Sequence, residues 1–390
     1  MTTTHPYPLA RVGVIGGGQL GRMIVKAAKS LGCVCVVLDP VPDCPAGQIA
    51  ARQIVGGYHD ADKIRELASD CDILTFELED IGADTMAELE IEGHPVYPSA
   101  SVLKIIQDKL IQKQFLKANG IPTSDFEEVV TPTLEQFRNF GFPLVQKARR
   151  GGYDGRGVAV MTTEAAFEKH LPGPSLIEKF VDADKEIAVV VARSTKGEIK
   201  TYPAVEMCMD PGENLLNLLL APAEISDSVQ EQAEDIAIRT IESLSGVGTF
   251  GVEMFVDLDG RVLVNEVAPR THNSGHHTIE ANVTDQFEQH LRAILGLPLG
   301  STEMLSPAAM INLLGAPGES GRPVLRGLDE ALAIPGVCMN LYGKATTSPF
   351  RKMGHITILD HDTAKAKAKA LQVRDIIEIG SEDKQWATSK

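Results

Sequence analysis

The chain has 390 residues, 43% hydrophobic and 23% charged, with a formal net charge of −16 at pH 7. That length exceeds a usual single core and implies two or three domains of soluble globular composition. The acidic field argues against nucleic-acid and anionic-membrane partners, so any phosphate site must be locally basic.

No apolar run approaches the ~20 residues that cross a bilayer, and Met1 to Tyr7 lacks the charged and apolar regions of a signal peptide. Cytoplasmic residence is therefore expected. Cys33, Cys35, Cys44, Cys71, Cys208 and Cys338 show no C-x-x-C pair and no zinc spacing, which reads as reduced structural thiols.

Residues 11–15 read as a short buried strand, followed by Gly16-Gly17-Gly18-Gln19-Leu20-Gly21 and a helical pattern that runs to Leu31 and stops at Gly32. A second strand at 33–38 ends at Asp39, a helix follows at 60–68, and a third strand at 72–76 precedes Glu77 and Glu79. This alternation points to an open, mostly parallel sheet. Ligands bind beyond the carboxyl ends of such strands, which makes the glycine loop and Glu77 candidate contacts. The loop satisfies G-x-G-x-x-G, and Asp39 lies near the distance expected of a ribose-binding acid, so alone they suggest a dinucleotide site. Glycine amides at a helix N-terminus bind any phosphate, however, and the motif implies phosphate without specifying NAD. A purely structural tight turn is the alternative.

Val102, Leu103, Ile105, Ile106, Leu110, Ile111, Phe115 and Leu116 follow helical spacing and predict one helix, from an N-cap at Ser101 to a stop at Asn119-Gly120 before Pro122. Lys109 lies on it. From 122 to about 305, strands are expected at 143–148, 158–162, 175–180 and 187–192, and a helix at 228–244. Between the first two strands stands Gly151-Gly152-Tyr153-Asp154-Gly155-Arg156-Gly157, four residues after Lys147. So many glycines cannot pack a core; they suggest a mobile cover over phosphates, with a plain hairpin as the alternative. Lys147 and Lys109 could hold phosphates as point charges, although each alone reads as a surface residue. Glu178-Lys179-Phe180-Val181 followed by Glu186 could offer backbone groups to an adenine and a carboxylate to ribose hydroxyls; by pattern alone it is a strand end.

The most informative stretch runs from Glu253 to Thr278. Its Asp259-Gly260 pair signals a two-residue hairpin turn. With Leu258 paired to Arg261, counting outward sets Glu253 opposite Glu266, their Cβ atoms roughly 5 Å apart on one face. Facing carboxylates destabilise a hairpin unless something neutralises them. Mg²⁺ is usually held by one or two carboxylates plus phosphates, so the pair reads as a nucleotide–magnesium site, against the alternative of two solvated glutamates. Arg270, His272, Asn273, His276 and His277 follow where a core strand would carry apolar residues.

The remainder carries strand-like pieces at 310–313, 337–342 and 354–359, a helix at 363–374, and ten final residues that read as disordered. Tyr342-Gly343-Lys344 and Arg351-Lys352-Met353-Gly354-His355 flank a loop containing Pro349. Three cations around a turn suggest an anion site formed against another domain, or simply a solvated loop.

Taken together, these motifs resemble the ATP-grasp superfamily and, within it, the 5-(carboxyamino)imidazole ribonucleotide synthetases of purine biosynthesis. The resemblance covers nearly the whole chain. It rests on the order and spacing of the glycine loop at 16–21, the Gly-Tyr-Asp-Gly-Arg-Gly segment at 152–157, the run from Asn265 to His276 and the Arg-Lys-Met-Gly-His segment at 351–355. It implies an α/β and α+β ATP-grasp fold: an N-terminal Rossmann-like pre-ATP-grasp domain (1–110), a central ATP-grasp domain (111–305) with a mobile lid at about 122–190, and a small β-rich C-terminal domain (306–390).

The same resemblance implies roles. Lys109 and Lys147 would contact the ATP phosphates, the segment Glu178, Lys179, Phe180 and Val181 the adenine, and Glu186 the ribose. Glu253 and Glu266 would hold Mg²⁺, with Mn²⁺ as an alternative. Gly18, Gln19, Leu20, Glu77, Tyr153, Asp154, Arg156, Lys344 and Arg351 would form the aminoimidazole ribonucleotide site. Arg270, His272 and Asn273 would hold bicarbonate or the carboxyphosphate made from it. A homodimer is the family expectation, and NAD drops out. Thr271, Asp80 and Asn340 depart from the residues usual at their positions, without removing a charge the chemistry needs. The rival readings are a formate-dependent glycinamide ribonucleotide transformylase of the same superfamily, a nicotinamide dehydrogenase resting on the glycine loop and Asp39, and a catalytically silent nucleotide-binding regulator.

Overall fold

A computed structural model describes residues 4–152, 157–209 and 216–382. Near the N-terminus, β1 (Arg11–Ile15), α1 (Gln19–Ser30), β2 (Val34–Asp39), β3 (Arg52–Val55), α2 (Ala61–Ser69), β4 (Ile73–Phe76) and α3 (Ala83–Ile91) alternate. The strands form a four-stranded sheet in the order β3-β2-β1-β4, every pair parallel. Ile15 is level with Leu38 and with Phe76. The next residues along, Gly16, Asp39 at the end of β2 and Glu77, therefore emerge side by side at the carboxyl edge.

The single helix expected from Ser101 to Asn119 is two: α4 (Ala100–Ile106), capped by Ser99, and α5 (Lys109–Ala118), capped by Asp108. Apolar spacing continues across the break, but the Asp108 carboxylate accepts from the amides of Leu110 and Ile111 and so starts a new helix. Arg149 holds Asp108 in place at 2.8 Å, and its carbonyl accepts the Lys109 amide. Lys109 thus opens a helix instead of lying in the middle of one.

β5 (Phe126–Val129), α6 (Leu134–Phe140), β6 (Leu144–Ala148), β7 (Val158–Met161) and β8 (Ser175–Lys179) follow. They build a four-stranded antiparallel sheet, β5-β8-β6-β7, over its own small core of Val129, Phe137, Leu144, Met161 and Ile177.

The rest of the chain supplies β9 (Ala183–Arg193), β10 (Ile199–Thr201), β11 (Val205–Met209), β12 (Leu216–Ala221), α7 (Asp227–Leu244), β13 (Gly248–Asp257), β14 (Val262–Ala268), α8 (Thr278–Ala281) and α9 (Gln286–Ile294). Then come β15 (Ala308–Leu314), β16 (Pro323–Arg326), α10 (Leu328–Leu332), β17 (Val337–Leu341), β18 (Lys352–Leu359), α11 (Thr363–Ile376) and β19 (Glu378–Ser381). Among the described residues these build a nine-stranded sheet in the order β14-β13-β9-β11-β12-β15-β18-β17, with β10 beside β9. It runs unbroken across residue 305, because Leu219 on β12 pairs with Met310 on β15. Helix α7 buries Ile236, Ala237 and Ile241 against β9 and β13, while α11 covers β15 and β18. Phe287, Leu291 and Ile294 of α9 share a core with Leu20, Met23 and Ile24 of α1, which fixes the parallel sheet against the long one. Ser381, within the terminal stretch expected to be disordered, pairs with Pro323; residues 383–390 lie outside the described residues. No described helix is long and apolar enough to cross a membrane.

Candidate active site

The glycine loop packs around carboxylates. Asp39 is buried: one oxygen accepts from the Gly17 amide and the Tyr58 hydroxyl, both at 2.8 Å, and the other from the Val41 amide at 2.8 Å. A Cβ at Gly17 would lie 2.2 Å from the Cys44 sulfur, so that position requires glycine for packing, whatever it binds. Both Asp39 oxygens are engaged inside the protein, which removes the ribose contact on which a dinucleotide reading depends. Glu77 caps α1, accepting the Gly18 amide at 2.5 Å and the Gly21 amide at 2.7 Å. Burial pushes its carboxyl up in pKa, against the pull of those amides and of Arg270. Gln19 and Leu20 open the same first turn.

Glu253 and Glu266 are register partners across β13 and β14, so both side chains leave the same face. The route to that register differs from a two-residue turn. Val256 pairs with Val262, the loop is Leu258-Asp259-Gly260 with Gly260 at φ 77°, and the Asp257 carboxylate accepts the Asp259 and Arg261 amides. This three-residue loop shifts the pairing by one, and the ladder shifts back at a bulge where Asn265 is the extra residue on β14. The two offsets cancel, which is why the simple count reaches the right partner.

Cations surround these carboxylates. The Lys109 ammonium pairs with Glu266. Burial would depress its pKa, but Glu266, Glu253 and Glu79 outweigh that and raise it. Lys147, on β6, donates to the Asn265 side-chain oxygen at 2.8 Å and pairs with Glu178 at 3.1 Å. The bulge thus turns the Asn265 side chain toward Lys147. Glu186 lies opposite Phe255 and Ala188 opposite Glu253, so Glu186 shares the face of Glu253; burial and then the Glu253 charge push its carboxyl up to about 7.

Glu178, read from sequence as part of an adenine-facing strand end, has a buried side chain with three partners: Lys113 at 3.0 Å, Lys147 at 3.1 Å and the Ser124 hydroxyl at 2.7 Å. Burial opposes its ionisation, yet Lys147 and Lys113 bring it down to about 2. Its carboxylate orients Lys147. The amides of Lys179 and Phe180 go to the carbonyls of Asp125 and Pro143, while Phe180 is partly exposed and Val181 half-buried beside them.

After β14 the chain enters the polar loop. Arg270 is partly buried, its side chain 19% exposed, and pairs with Glu79 at 2.8 Å. His272 approaches Glu253 at 3.2 Å through Nε2, and the Ser274 amide donates to Nδ1 at 3.3 Å, which assigns the ring proton to Nε2, facing the carboxylate. Burial would raise Glu253, but His272, Lys109 and Lys147 hold it below the ordinary carboxylate range. Gln286 on α9 clamps this loop: its side-chain oxygen accepts the His272 amide at 2.8 Å and its nitrogen donates to the His272 carbonyl at 2.7 Å. Arg270 Nε and the Asn273 side-chain oxygen are buried without a hydrogen-bond partner in the protein, two polar atoms in one loop suited to a small oxyanion with a proton to share. His276 and His277 are fully buried and held uncharged, burial lowering the pKa of His277 to about 4. His276 packs on His355 with ring centroids 4.7 Å apart.

Lys344 and Arg351 lie on the loop between β17 and β18. The Lys344 ammonium sits 5.8 Å from the Tyr342 ring centroid, and Arg351 donates to the Thr346 carbonyl and hydroxyl at 2.8 and 2.7 Å. Tyr153, Asp154 and Arg156 lie outside the described residues. Of the residues expected to depart from the usual pattern, Asp80 pairs with His59, Asn340 donates to Glu280 at 2.8 Å, and Thr271 is buried with its hydroxyl unpartnered.

Sequence reasoning missed Lys113, Asn265, Gln286 and Glu79. Lys113 had a signal, since it stands four residues after Lys109 on one helix face. Gln286 had none, because its contact with His272 crosses between elements. Among the described residues no group of three or more His, Cys, Asp and Glu could hold a metal alone. Two facing carboxylates with lysines beside them fit Mg²⁺, an ion usually held by one or two carboxylates together with substrate phosphates. The cavity of about 530 Å³ lined by 314–317, Arg326, Phe350 and 374–378 contains none of these residues.

Three family models match successive parts of this chain. Residues 9–107 match the ribonucleotide synthetase preATP-grasp domain, 114–287 the ATP-grasp domain, and 308–369 the phosphoribosylaminoimidazole carboxylase C-terminal domain. The chain is 40% identical over 360 residues to the N5-carboxyaminoimidazole ribonucleotide synthase of Bacillus subtilis, covering 90% of this chain and 92% of that one. It is 41% identical to the phosphoribosylaminoimidazole carboxylase of Ogataea methanolica, covering 89% of this chain but spanning only 66% of that longer protein. The crystal structure of N5-carboxyaminoimidazole ribonucleotide synthetase from Thermotoga maritima superposes with a TM-score of 0.90 at 49% identity, covering 96% of this chain and all of that one. The Aspergillus clavatus synthase in complex with ADP and 5-aminoimidazole ribonucleotide superposes with a TM-score of 0.86 at 34% identity, covering 94% and 98%.

Proposed function

The chain belongs to the N5-carboxyaminoimidazole ribonucleotide synthases of the ATP-grasp superfamily, and from that premise we propose how its residues carry the reaction. The enzyme is a carbon–nitrogen ligase of purine biosynthesis: ATP and bicarbonate give carboxyphosphate and ADP, and the exocyclic amine of 5-aminoimidazole ribonucleotide takes the carboxyl group with release of phosphate. The observation that carries this reading is the register of Glu253 with Glu266, flanked by Lys109 and Lys147 and followed by Arg270 and His272.

Glu253 and Glu266 would hold Mg²⁺, which neutralises charge developing on the transferred phosphoryl group. Lys109 and Lys147 meet the phosphates as point charges, Lys147 being aimed by Asn265 and Glu178. The backbone groups of Lys179, Phe180 and Val181 left over from their contacts to Asp125 and Pro143 meet the adenine, Glu178 serves that site through Lys147, and Glu186 meets the ribose. Arg270, its guanidinium held charged despite burial by Glu79 and Glu77, positions bicarbonate and then the acyl phosphate. His272 and Asn273 complete that contact, and Gln286 keeps the loop in register. Gln19 and Leu20 face the ribonucleotide from the first turn of α1, which Glu77 holds in shape through the Gly18 and Gly21 amides, with Lys344 and Arg351 from the C-terminal loop; substrate contacts for Tyr153, Asp154 and Arg156 belong to the same proposal. Phosphoryl transfer depends on positioning and neutralisation more than on a protein nucleophile, which accounts for a site of lysines, carboxylates and one partly buried arginine. Carboxyphosphate hydrolyses readily, so a cover over the site serves to exclude water.

An ADP-release assay tests the assignment. Turnover is expected with aminoimidazole ribonucleotide and bicarbonate, and ADP formed only with glycinamide ribonucleotide and formate overturns it. Cytoplasmic residence and a homodimer belong to the same proposal, the latter checked by light scattering after size exclusion.

A further inference from the structure

The turn that carries Lys344 is gripped from the N-terminal sheet. Gln48, in the loop between β2 and β3, donates through Nε2 to the Gly343 carbonyl at 2.9 Å and to the Asp43 carbonyl at 3.1 Å. Its Oε1 accepts from Arg22 Nη1 at 3.1 Å, and the same Arg22 nitrogen donates to the Pro45 carbonyl at 2.6 Å. With two carbonyls on one side and a guanidinium on the other, only one orientation of the amide satisfies every partner. Arg22 is itself fixed in the first turn of α1, its amide donating to the Gly18 carbonyl at 3.0 Å. The contact is close: a Cβ at Gly343, whose φ is 74°, would lie 2.7 Å from Gln48 Oε1 and 3.3 Å from Arg22 Nη1.

On its other flank the turn is anchored by Tyr342. The ring is buried, its hydroxyl meets His355 Nδ1 at 2.9 Å, and its amide donates to the Met353 carbonyl at 2.9 Å. The Lys344 ammonium stands over that ring at 5.8 Å, within cation–π range. The residue before Lys344 is thus tied to α1 by Gln48, and the residue before that is tied to β18. This bridge joins segments 295 residues apart, and it connects the first turn of the glycine-loop helix to a lysine of the C-terminal loop.

We propose that Gln48, oriented by Arg22, is a positioning residue that sets Lys344 at a fixed distance from the N-terminus of α1, so that the two converge on the phosphate of the ribonucleotide substrate. This rests on the reading of Lys344 and the glycine loop as the ribonucleotide site. Gln48 touches neither ATP nor the reacting atoms and acts through the Gly343 carbonyl alone.

The test is a double-mutant cycle on the full-length enzyme with Gln48→Ala, Lys344→Met and the pair, measuring KM for aminoimidazole ribonucleotide, KM for ATP, kcat and Tm. Gln48 is exposed, so the single variant folds with an unchanged Tm. Gln48→Ala is expected to raise KM for the ribonucleotide about three- to tenfold, the range of one lost positioning hydrogen bond. KM for ATP and kcat stay within about twofold of the parent, a split that a general loosening of the fold would not produce. Lys344→Met raises the same KM by about tenfold or more, as expected for a charge-assisted phosphate contact, and Gln48→Ala adds nothing on that background. An unchanged ribonucleotide KM in Gln48→Ala, or an effect that adds in full to that of Lys344→Met, overturns the inference and leaves the function standing. A parent enzyme that forms no ADP with aminoimidazole ribonucleotide and bicarbonate overturns the functional reading beneath it.

Discussion

Lys113→Met replaces a buried ammonium by an apolar side chain of similar length. Lys113 and Glu178 side chains are each 3% exposed and lie 3.0 Å apart. The ammonium also donates to the Thr123 hydroxyl at 2.7 Å, the Ser124 hydroxyl at 3.2 Å and the Val264 carbonyl at 3.3 Å. Removing one partner of a buried pair costs about 3–5 kcal/mol because the other charge stays buried. Glu178 keeps Lys147 and Ser124, so the lower end, about 3 kcal/mol, is expected. That corresponds to a fall in Tm of roughly 4 °C for a protein of this size.

The two partners of this pair pull in opposite directions. Glu178 goes down to about 2, whereas burial brings Lys113 down to about 8, as if pairing helped one and failed the other. Glu178 faces two ammonium groups while Lys113 faces one carboxylate and the repulsion of Lys147, so both shifts are consistent. The Glu178 value lies below its ordinary 4.5, so its contribution is present above about pH 4.5 and lost as pH falls toward about 2. The Lys113 value lies below its ordinary 10.5, so the cost of burying that charge persists below about pH 8 and is relieved as pH rises toward 10.5. In Lys113→Met, Glu178 loses one cation and acid unfolding begins at a higher pH. Circular dichroism melts and urea titrations between pH 3 and 8 measure both effects, and Lys113→Met/Glu178→Gln should recover about half the loss by removing the stranded charge. A single variant as stable as the parent, with the same acid midpoint, refutes the account of this triad.

Glu266→Gln removes charge at the metal-facing pair while keeping volume; kcat should fall by about a hundredfold or more with Tm nearly unchanged, and unaltered kinetics count against the metal assignment. Gln286→Leu strands the His272 amide and carbonyl, lowering stability by about 2 kcal/mol in urea titration and reducing kcat more than it raises KM for ATP. Thr271→Val removes a buried hydroxyl without a partner and should raise stability by about 1 kcal/mol with activity retained, as a thermal melt beside the ADP assay would show.

Where physics is local, the fold was legible. The strands and helix around the glycine loop follow from short buried runs, a glycine stop at Gly32 and the order of strand and helix. The break between α4 and α5 was hidden because apolar spacing carries through it and only the Asp108 cap, locked by Arg149, reveals it. The partner of Glu253 was found by a count whose turn was one residue short, and only the bulge at Asn265 restored it. Asp39 shows the converse, a residue at a spacing suggestive of ribose that in three dimensions caps the protein's own amides.

Residue types, their order and the turn near Gly260 by themselves determined that this chain holds a pair of facing carboxylates, two candidate phosphate lysines and an arginine–histidine loop on an ATP-grasp pattern. Only the tertiary structure decided that Glu178 orients Lys147, that Gln286 clamps His272, that one sheet crosses residue 305 and that Gln48 meets Gly343. Each of those is a contact between segments far apart in the chain, and a hydrogen bond between distant segments leaves no periodicity for a sequence to display.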